Sequence, residues 1–492
     1  MVFSNSVFLF LFLPISVLVY YFLFALKINI KICNIWLLII SFIFYAWGEP
    51  VYVFLMILSI TVNYLLGRWV EKYAKTSKGK RIVAYACIYN LGQLFVFKYL
   101  PWIIGLIIGN KMQNTFLSRI VLPIGISFYT FQALSYVIDI YRGKDKAQKN
   151  ILNTGLYISF FPQLIAGPIV RYSSIAKQLS DREHSWEKFS KGTWRFCIGL
   201  SKKILLANQL AFIADIAFNK DISELSVVMA WSGAFCFMLQ LYYDFSGYSD
   251  MAIGLGEMFG FEFQENFNYP YISKSVTEYW RRWHISLGAW FRDYLYYPLT
   301  MGPAVKLRKR LGKKVSRKTG NVIASVFVLF VVWLATGIWH GANFTFVVWG
   351  LLQFAFIVWE QYRKPIKDTK LANIVGFTTT FLVVLLSKVI FKAENMSQGF
   401  AYYGAMLGLN GNSFVDQFST YLVSQYKFFI IAGSIFIFPI VRWVKTKVEN
   451  TNSKIFSTAF KSLELTAMTI LLVADILYSV AGDYNPFLYF NF

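Results

Sequence analysis

Apolar residues run along the chain in blocks separated by short polar breaks, and many blocks match the ~20 residues a helix needs to cross a bilayer core. The first four are Val7–Leu26, Ile32–Trp47, Val51–Leu66 and Ile82–Ile107, and the later ones include Val322–Ile338, Phe344–Trp359, Leu371–Ile390 and Leu463–Val480. This pattern predicts an all-α, multi-pass integral membrane protein. Other blocks are too short to cross alone or carry Pro and Gly inside them, as at Pro123, Gly125, Pro162, Gly167 and Pro168. These are expected to be re-entrant or broken helices. Irregular backbone survives at membrane depth only where protein or a water-filled cavity satisfies its polar groups, so a cavity within the membrane is implied.

The polar breaks set the expected orientation. Arg68–Arg81, Arg142–Lys149, Arg171–Lys203, Lys306–Lys318, Arg363–Lys370 and Arg442–Lys454 are basic and are placed on the cytoplasmic side. Counting spans then puts the N-terminus, residues 392–427 and the tail Ala481–Phe492 outside the cytoplasm. The first apolar block has no charged segment before it and no small-residue cleavage site, which predicts a retained helix rather than a signal peptide. Residues 1–492 read as one membrane domain with a basic cytoplasmic loop at 302–320.

Composition agrees with a lipid solvent: 57% of residues are hydrophobic and only 15% charged, too apolar for a soluble surface of this length. Lys and Arg outnumber Asp and Glu by 48 to 25. Because that excess lies in short segments between apolar blocks, it favours anionic lipid headgroups over nucleic acid. The four cysteines are scattered with no metal-ligand spacing, so neither a disulfide framework nor a metal site is expected.

Ionisable residues inside apolar blocks are the candidates for chemistry. Of the three histidines, His340 follows Trp339 at a glycine-flanked break between two apolar blocks, and His284 follows Trp283 beside Arg281 and Arg282. For His340 the choice lies between acid–base work and a neutral, hydrogen-bonded histidine of the bundle. For His284 it lies between an interfacial aromatic belt with snorkelling arginines and a cytoplasm-facing pocket where Arg281, Arg282 or Arg292 pair with phosphates. Asp244, Ser246 and Asp250 sit in a long apolar context, where carboxylates must pair, cap a helix or line water; an arginine such as Arg281 is one expected partner. Asn343 follows the His340 break, and Asn266-Phe-Asn-Tyr-Pro-Tyr271 is a polar-aromatic turn that either closes a cavity or supports a loop. The run Lys306–Lys318 holds eight basic and no acidic residues, suited to anionic lipid or to a polyanionic ligand. Serine-hydrolase elbows, P-loops and His-Glu-x-x-His are missing.

Together, Met1-Val-Phe-Ser-Asn-Ser-Val-Phe-Leu-Phe-Leu-Phe-Leu-Pro14, Leu122-Pro-Ile-Gly-Ile-Ser-Phe-Tyr-Thr-Phe-Gln132, Phe161-Pro-Gln-Leu-Ile-Ala-Gly-Pro168, Tyr243-Asp-Phe-Ser-Gly-Tyr-Ser-Asp250, Trp280-Arg-Arg-Trp-His-Ile-Ser286 and Gly337-Ile-Trp-His-Gly-Ala342 resemble the membrane-bound O-acyltransferase family, in its bacterial alginate O-acetylation branch. The terminal Pro486-Phe-Leu-Tyr-Phe-Asn-Phe492 is similar to that branch too. The resemblance implies a helical ring around a central tunnel, His340 as catalytic histidine and His284 at a second functional position that is Asn in many acyltransferases of the wider family. It further implies acetyl-CoA as cytoplasmic donor, a polysaccharide acceptor, an extracytoplasmic SGNH-like acetyltransferase as partner, and the inner membrane of a bacterium as location. The D-alanyl transfer proteins of teichoic acid modification are a weaker likeness. A channel or secondary transporter, and a scaffold that only docks an acetyltransferase, are the rivals from other classes.

Overall fold

A computed structural model describes residues 1–109, 121–314, 316–363, 369–451, 453–481 and 487–488. All regular structure among them is helical. Among the described residues eight helices are long and apolar enough to cross a membrane, or nine if one bent pair counts as a span. The chain divides into two compact units. The first is Met1–Leu200, Tyr248–Glu265 and Gly482–Asn491, and the second is Ser201–Gly247, Asn266–Ala481 and Phe492. Most of the tail Ala481–Phe492, with its terminal motif, lies outside the described residues.

The first unit opens with α1 (Phe8–Ala25), α2 (Ile30–Ala46), α3 (Tyr52–Lys72) and α4 (Ser77–Ile108). Next come α5 (Ile126–Tyr141) and α6 (Ile151–Ser159). The interruptions fall where Gly and Pro predict them: Gly125 precedes α5 at φ +75°, and α6 breaks at Phe160 before the turn Phe161–Leu164, which holds Pro162. α7 (Trp186–Asn219) and α8 (Val227–Met258) contribute residues to both units. In the first unit Arg195 of α7 binds Asp250 and Glu265.

The second unit carries α9 (Val276–Arg282) and α10 (Ile285–Phe291), two seven-residue helices separated by Trp283 and His284. Within the basic stretch 302–320 the described residues form α11 (Pro303–Lys314) and the first turn of α12 (Arg317–His340). Leu, Lys and Arg are good helix formers and nothing in Ala304–Lys309 breaks a helix. The Ser316 hydroxyl accepts the Thr319 N–H at 3.1 Å and starts α12. α13 (Phe344–Tyr362) and α14 (Lys370–Lys392) follow. Residues 392–427 hold α15 (Met396–Met406) and the start of α16 (Gln417–Ile435), which bends by 52° into α17 (Ile440–Asn450). α18 (Lys454–Ala481) ends the described helices and turns Leu463, Leu465, Ile470, Val473 and Leu477 outward, as a lipid-facing helix does.

α12 and α13 pack closely because small residues face each other. A Cβ on Gly337 would stand 2.6 Å from the Phe346 carbonyl oxygen, and one on Gly350 would stand 2.6 Å from that of Trp333. This close approach is the usual means of helix association where water supplies no hydrophobic drive. It fixes the loop at the end of α12, and with it His340.

Candidate active site

His340 is the last residue of α12, three residues before the Asn343 cap of α13. Asn343 Oδ1 accepts the Thr345 N–H at 3.0 Å while its Nδ2 donates to the Glu394 carbonyl at 2.7 Å, so this side chain anchors the turn. The imidazole is 2% exposed. It meets the rings of Trp339, Trp349 and Phe391 edge-on, with centroids 4.9, 4.8 and 5.4 Å away. The ring is thus enclosed by aromatic side chains on three sides.

His284 lies in the same unit and is 1% exposed. It sits between α9 and α10 in the left-handed conformation, φ +46° and ψ 54°. The polar-aromatic turn beside it clamps it. Asn266 Oδ1 lies 3.1 Å from His284 Nδ1, and the same oxygen accepts the Ser286 hydroxyl at 2.8 Å and the Ser286 N–H at 3.2 Å. The Asn266 carbonyl accepts the Ile285 N–H at 2.9 Å, and the Arg282 carbonyl accepts the Asn268 N–H at 2.9 Å. An amide oxygen already accepting two donors makes Nδ1 the protonated nitrogen, which leaves Nε2 as the basic atom. Burial pushes the His284 pKa down to about 3, so the ring is neutral.

Trp339 links the two histidines: its ring is 6.0 Å from His284 and 4.9 Å from His340. Trp283 packs on Phe267 and Tyr279, and Phe245 lies 4.6 Å from His284. Of the predicted residues, His340, His284, Trp283 and Trp339 therefore form one aromatic cluster. The arginines point elsewhere. Arg281 is exposed, Arg282 binds Glu278 and the Asn268 carbonyl, and Arg292 is exposed and binds Asp293. Asp244 pairs with Lys203 at 2.6 Å, both being buried, and not with Arg281. Lys203 on α7 and Asp244 on α8 are both buried within the second unit, whereas Arg281 on α9 is exposed. Ser246 is buried on α8, and Asp250 belongs to the first unit with Arg195.

Four contributors escape sequence reasoning: Asn266 as clamp, Trp349 and Phe391 as walls, and Gln353, whose Oε1 accepts the Trp280 N–H at 3.0 Å. A fifth, Lys388, has a legible signal, a lone charge within the apolar run Leu371–Ile390.

The sequence profile of the membrane-bound O-acyltransferase family matches residues 144–391, a window that holds both histidines and every wall of the box. The chain belongs to the membrane-bound O-acyltransferase family. It is similar to the "Probable alginate O-acetylase AlgI" of Pseudomonas putida, 37% identical over 511 aligned positions that take in all of both chains. Its likeness to the protein of that name from Pseudomonas aeruginosa is 40% over 411 positions, 82% of this chain and 75% of the relative. The "Peptidoglycan O-acetyltransferase" of Helicobacter pylori is 30% identical over 537 positions, all of this chain and 98% of that one. The chain is thus an O-acyltransferase with several apolar spans.

Proposed function

We propose that this enzyme takes an acetyl group from acetyl-CoA on the cytoplasmic side of a bacterial inner membrane and passes it towards a hydroxyl of a secreted or cell-surface polysaccharide. An extracytoplasmic SGNH-like acetyltransferase completes the transfer. The observation that carries the reading is His340, buried in an aromatic box at a helix junction and joined through Trp339 to a second buried histidine. The names of the relatives supply the acceptor class, since alginate and peptidoglycan are both glycans.

The hydroxyl that first receives the acetyl group on this chain is a weak nucleophile at neutral pH. His340 removes its proton as the oxygen attacks the thioester carbonyl, a contribution of roughly 10²–10⁴ in rate. His284, neutral with Nε2 as acceptor, orients the acceptor or relays the proton. Bringing the donor from one face and the acceptor from the other to one point adds a proximity gain. The basic helix α11 offers a positive field for the phosphates of CoA.

The test is His340→Ala in the full chain, checked for membrane insertion, with thiol release from acetyl-CoA measured in proteoliposomes and O-acetylation of cell-surface polymers measured in cells. Loss of both, by at least 10²-fold for thiol release, is expected. Thiol release at the parental rate would refute the base assignment. No acetyl-CoA turnover by the parent, together with turnover of a D-alanyl carrier thioester, would replace the donor.

A further inference from the structure

Lys388 is 2% exposed and stands on α14 one turn before Lys392. The two lysines are treated differently. Lys392 is charge-paired with Asp215 at 2.8 Å. Among the described residues Lys388 has neither an ion pair nor a hydrogen bond; its Nζ lies instead 4.8 Å from the Trp283 ring centre, 5.0 Å from Phe391 and 5.5 Å from Trp349.

An ammonium buried without a carboxylate is costly, and ring faces offset only part of that cost. A cation fixed in this way suits an anion that arrives during function. Its location narrows which anion. Trp349 and Phe391 are also walls of the His340 box, and Trp283 adjoins His284. The ammonium therefore stands beside the aromatic walls of both histidines, where the acyl group reacts in the reading above.

Building on the acyl-transfer reading above, we propose that Lys388 is a further catalytic residue of this enzyme, whose ammonium stabilises the negative charge that develops on the acyl carbonyl oxygen. The hydroxyl oxygen forms a bond to the carbonyl carbon as His340 takes the hydroxyl proton. The carbonyl π pair moves onto oxygen, and Lys388 faces that charge. When the carbonyl re-forms, the C–S bond breaks and the thiolate leaves with the proton from the His340 imidazolium. A preorganised donor in a dry site is of most use for such a charge, because the site does not have to reorganise when it appears.

The experiment compares Lys388→Met, Lys388→Arg and His340→Ala with the parent in proteoliposomes, at matched membrane-inserted amounts, using acetyl-CoA as the donor probe and thiol release as the readout. Lys388→Met is expected to lower kcat by about 10²–10³-fold with KM for acetyl-CoA within about threefold. Lys388→Arg, which keeps the charge, should exceed Lys388→Met by at least tenfold. Lys388→Met with kcat within threefold of the parent overturns the proposal, as does a raised KM at unchanged kcat, which would make Lys388 a donor-binding group. Should Lys388→Met fail to insert, Lys388→Gln takes its place under the same criteria. If His340→Ala is inactive while uncharged Lys388 variants are active, only the Lys388 assignment fails. If the parent itself releases thiol neither from acetyl-CoA nor from a D-alanyl carrier thioester, the acyl-transfer reading falls and this one with it.

Discussion

Replacing Asn266 by Ala removes one oxygen that three donors share: His284 Nδ1–H, the Ser286 hydroxyl and the Ser286 N–H. Stranding a buried neutral donor costs about 1–3 kcal/mol, and with partial relaxation the whole change should cost about 3 kcal/mol. The turn itself should survive, because the Ile285 N–H bond to the residue-266 carbonyl does not depend on the side chain. The larger effect falls on the ring, which loses both its tautomer and its orientation. A displacement on the order of 1 Å lowers rates by up to about 10²-fold, so kcat should fall roughly 10- to 100-fold while KM for acetyl-CoA changes little. Asn266→Asp gives the contrasting outcome. It keeps an acceptor in place but sets a carboxylate against His284, raises the imidazole pKa from about 3 and introduces an acid limb that the parent lacks. Thiol release from acetyl-CoA across pH 5.5–8.5 (a range of about three units), paired with thermal unfolding in detergent, reads both effects. Parental kcat within twofold in an inserted Asn266→Ala variant would refute the clamp.

Two further outcomes follow from the geometry. Gly337→Ala puts a Cβ 2.6 Å from a backbone oxygen of α13 and forces the helices apart, so it should lower unfolding stability by about 1–3 kcal/mol and reduce activity; an unchanged unfolding temperature would contradict the packing account. Burial holds the His284 pKa near 3, below the unfolded value of about 6.5, so the unfolded chain takes up a proton first as pH falls. The stability this group supplies is complete above pH ~6.5 and declines towards pH ~3 by up to about 1.4 kcal/mol per unit. His284→Asn should therefore flatten the loss of stability between neutral and mildly acid pH, and an identical acid slope would refute the assignment.

How far sequence reading reached depends on the range of the forces involved. The apolar blocks declare α1, α12, α13 and α14 because burial in lipid acts on consecutive residues. His340 is legible for the same reason, as a polar residue at a break between two such blocks. The clamp on His284 is not, since nothing local tells that Asn266 reaches forward 18 residues to an imidazole. Lys203 as partner of Asp244, and Phe391 as a wall of the His340 box, depend equally on how helices far apart in sequence come together. The helices of the basic stretch before and at the start of α12 are not legible from charge, which reports on solvent and lipid, whereas helix formation there follows backbone propensity and the cap at Ser316.

The left-handed backbone at His284 restricts which amino acids can occupy that position, whatever the chemistry asks. Outside glycine, φ near +46° is readily tolerated by Asn, Asp and His, and β-branched or bulky residues are strained there. The Asn found at the second functional position in many wider-family acyltransferases, according to the resemblance, belongs to that short set. An exchange between His and Asn at this junction can thus proceed without passing through a misfolded intermediate, so reaction chemistry can diverge while the scaffold stays fixed. Library designs at residue 284 should accordingly sample Asn, Asp and Gly first, because most other changes would test backbone strain before they tested catalysis.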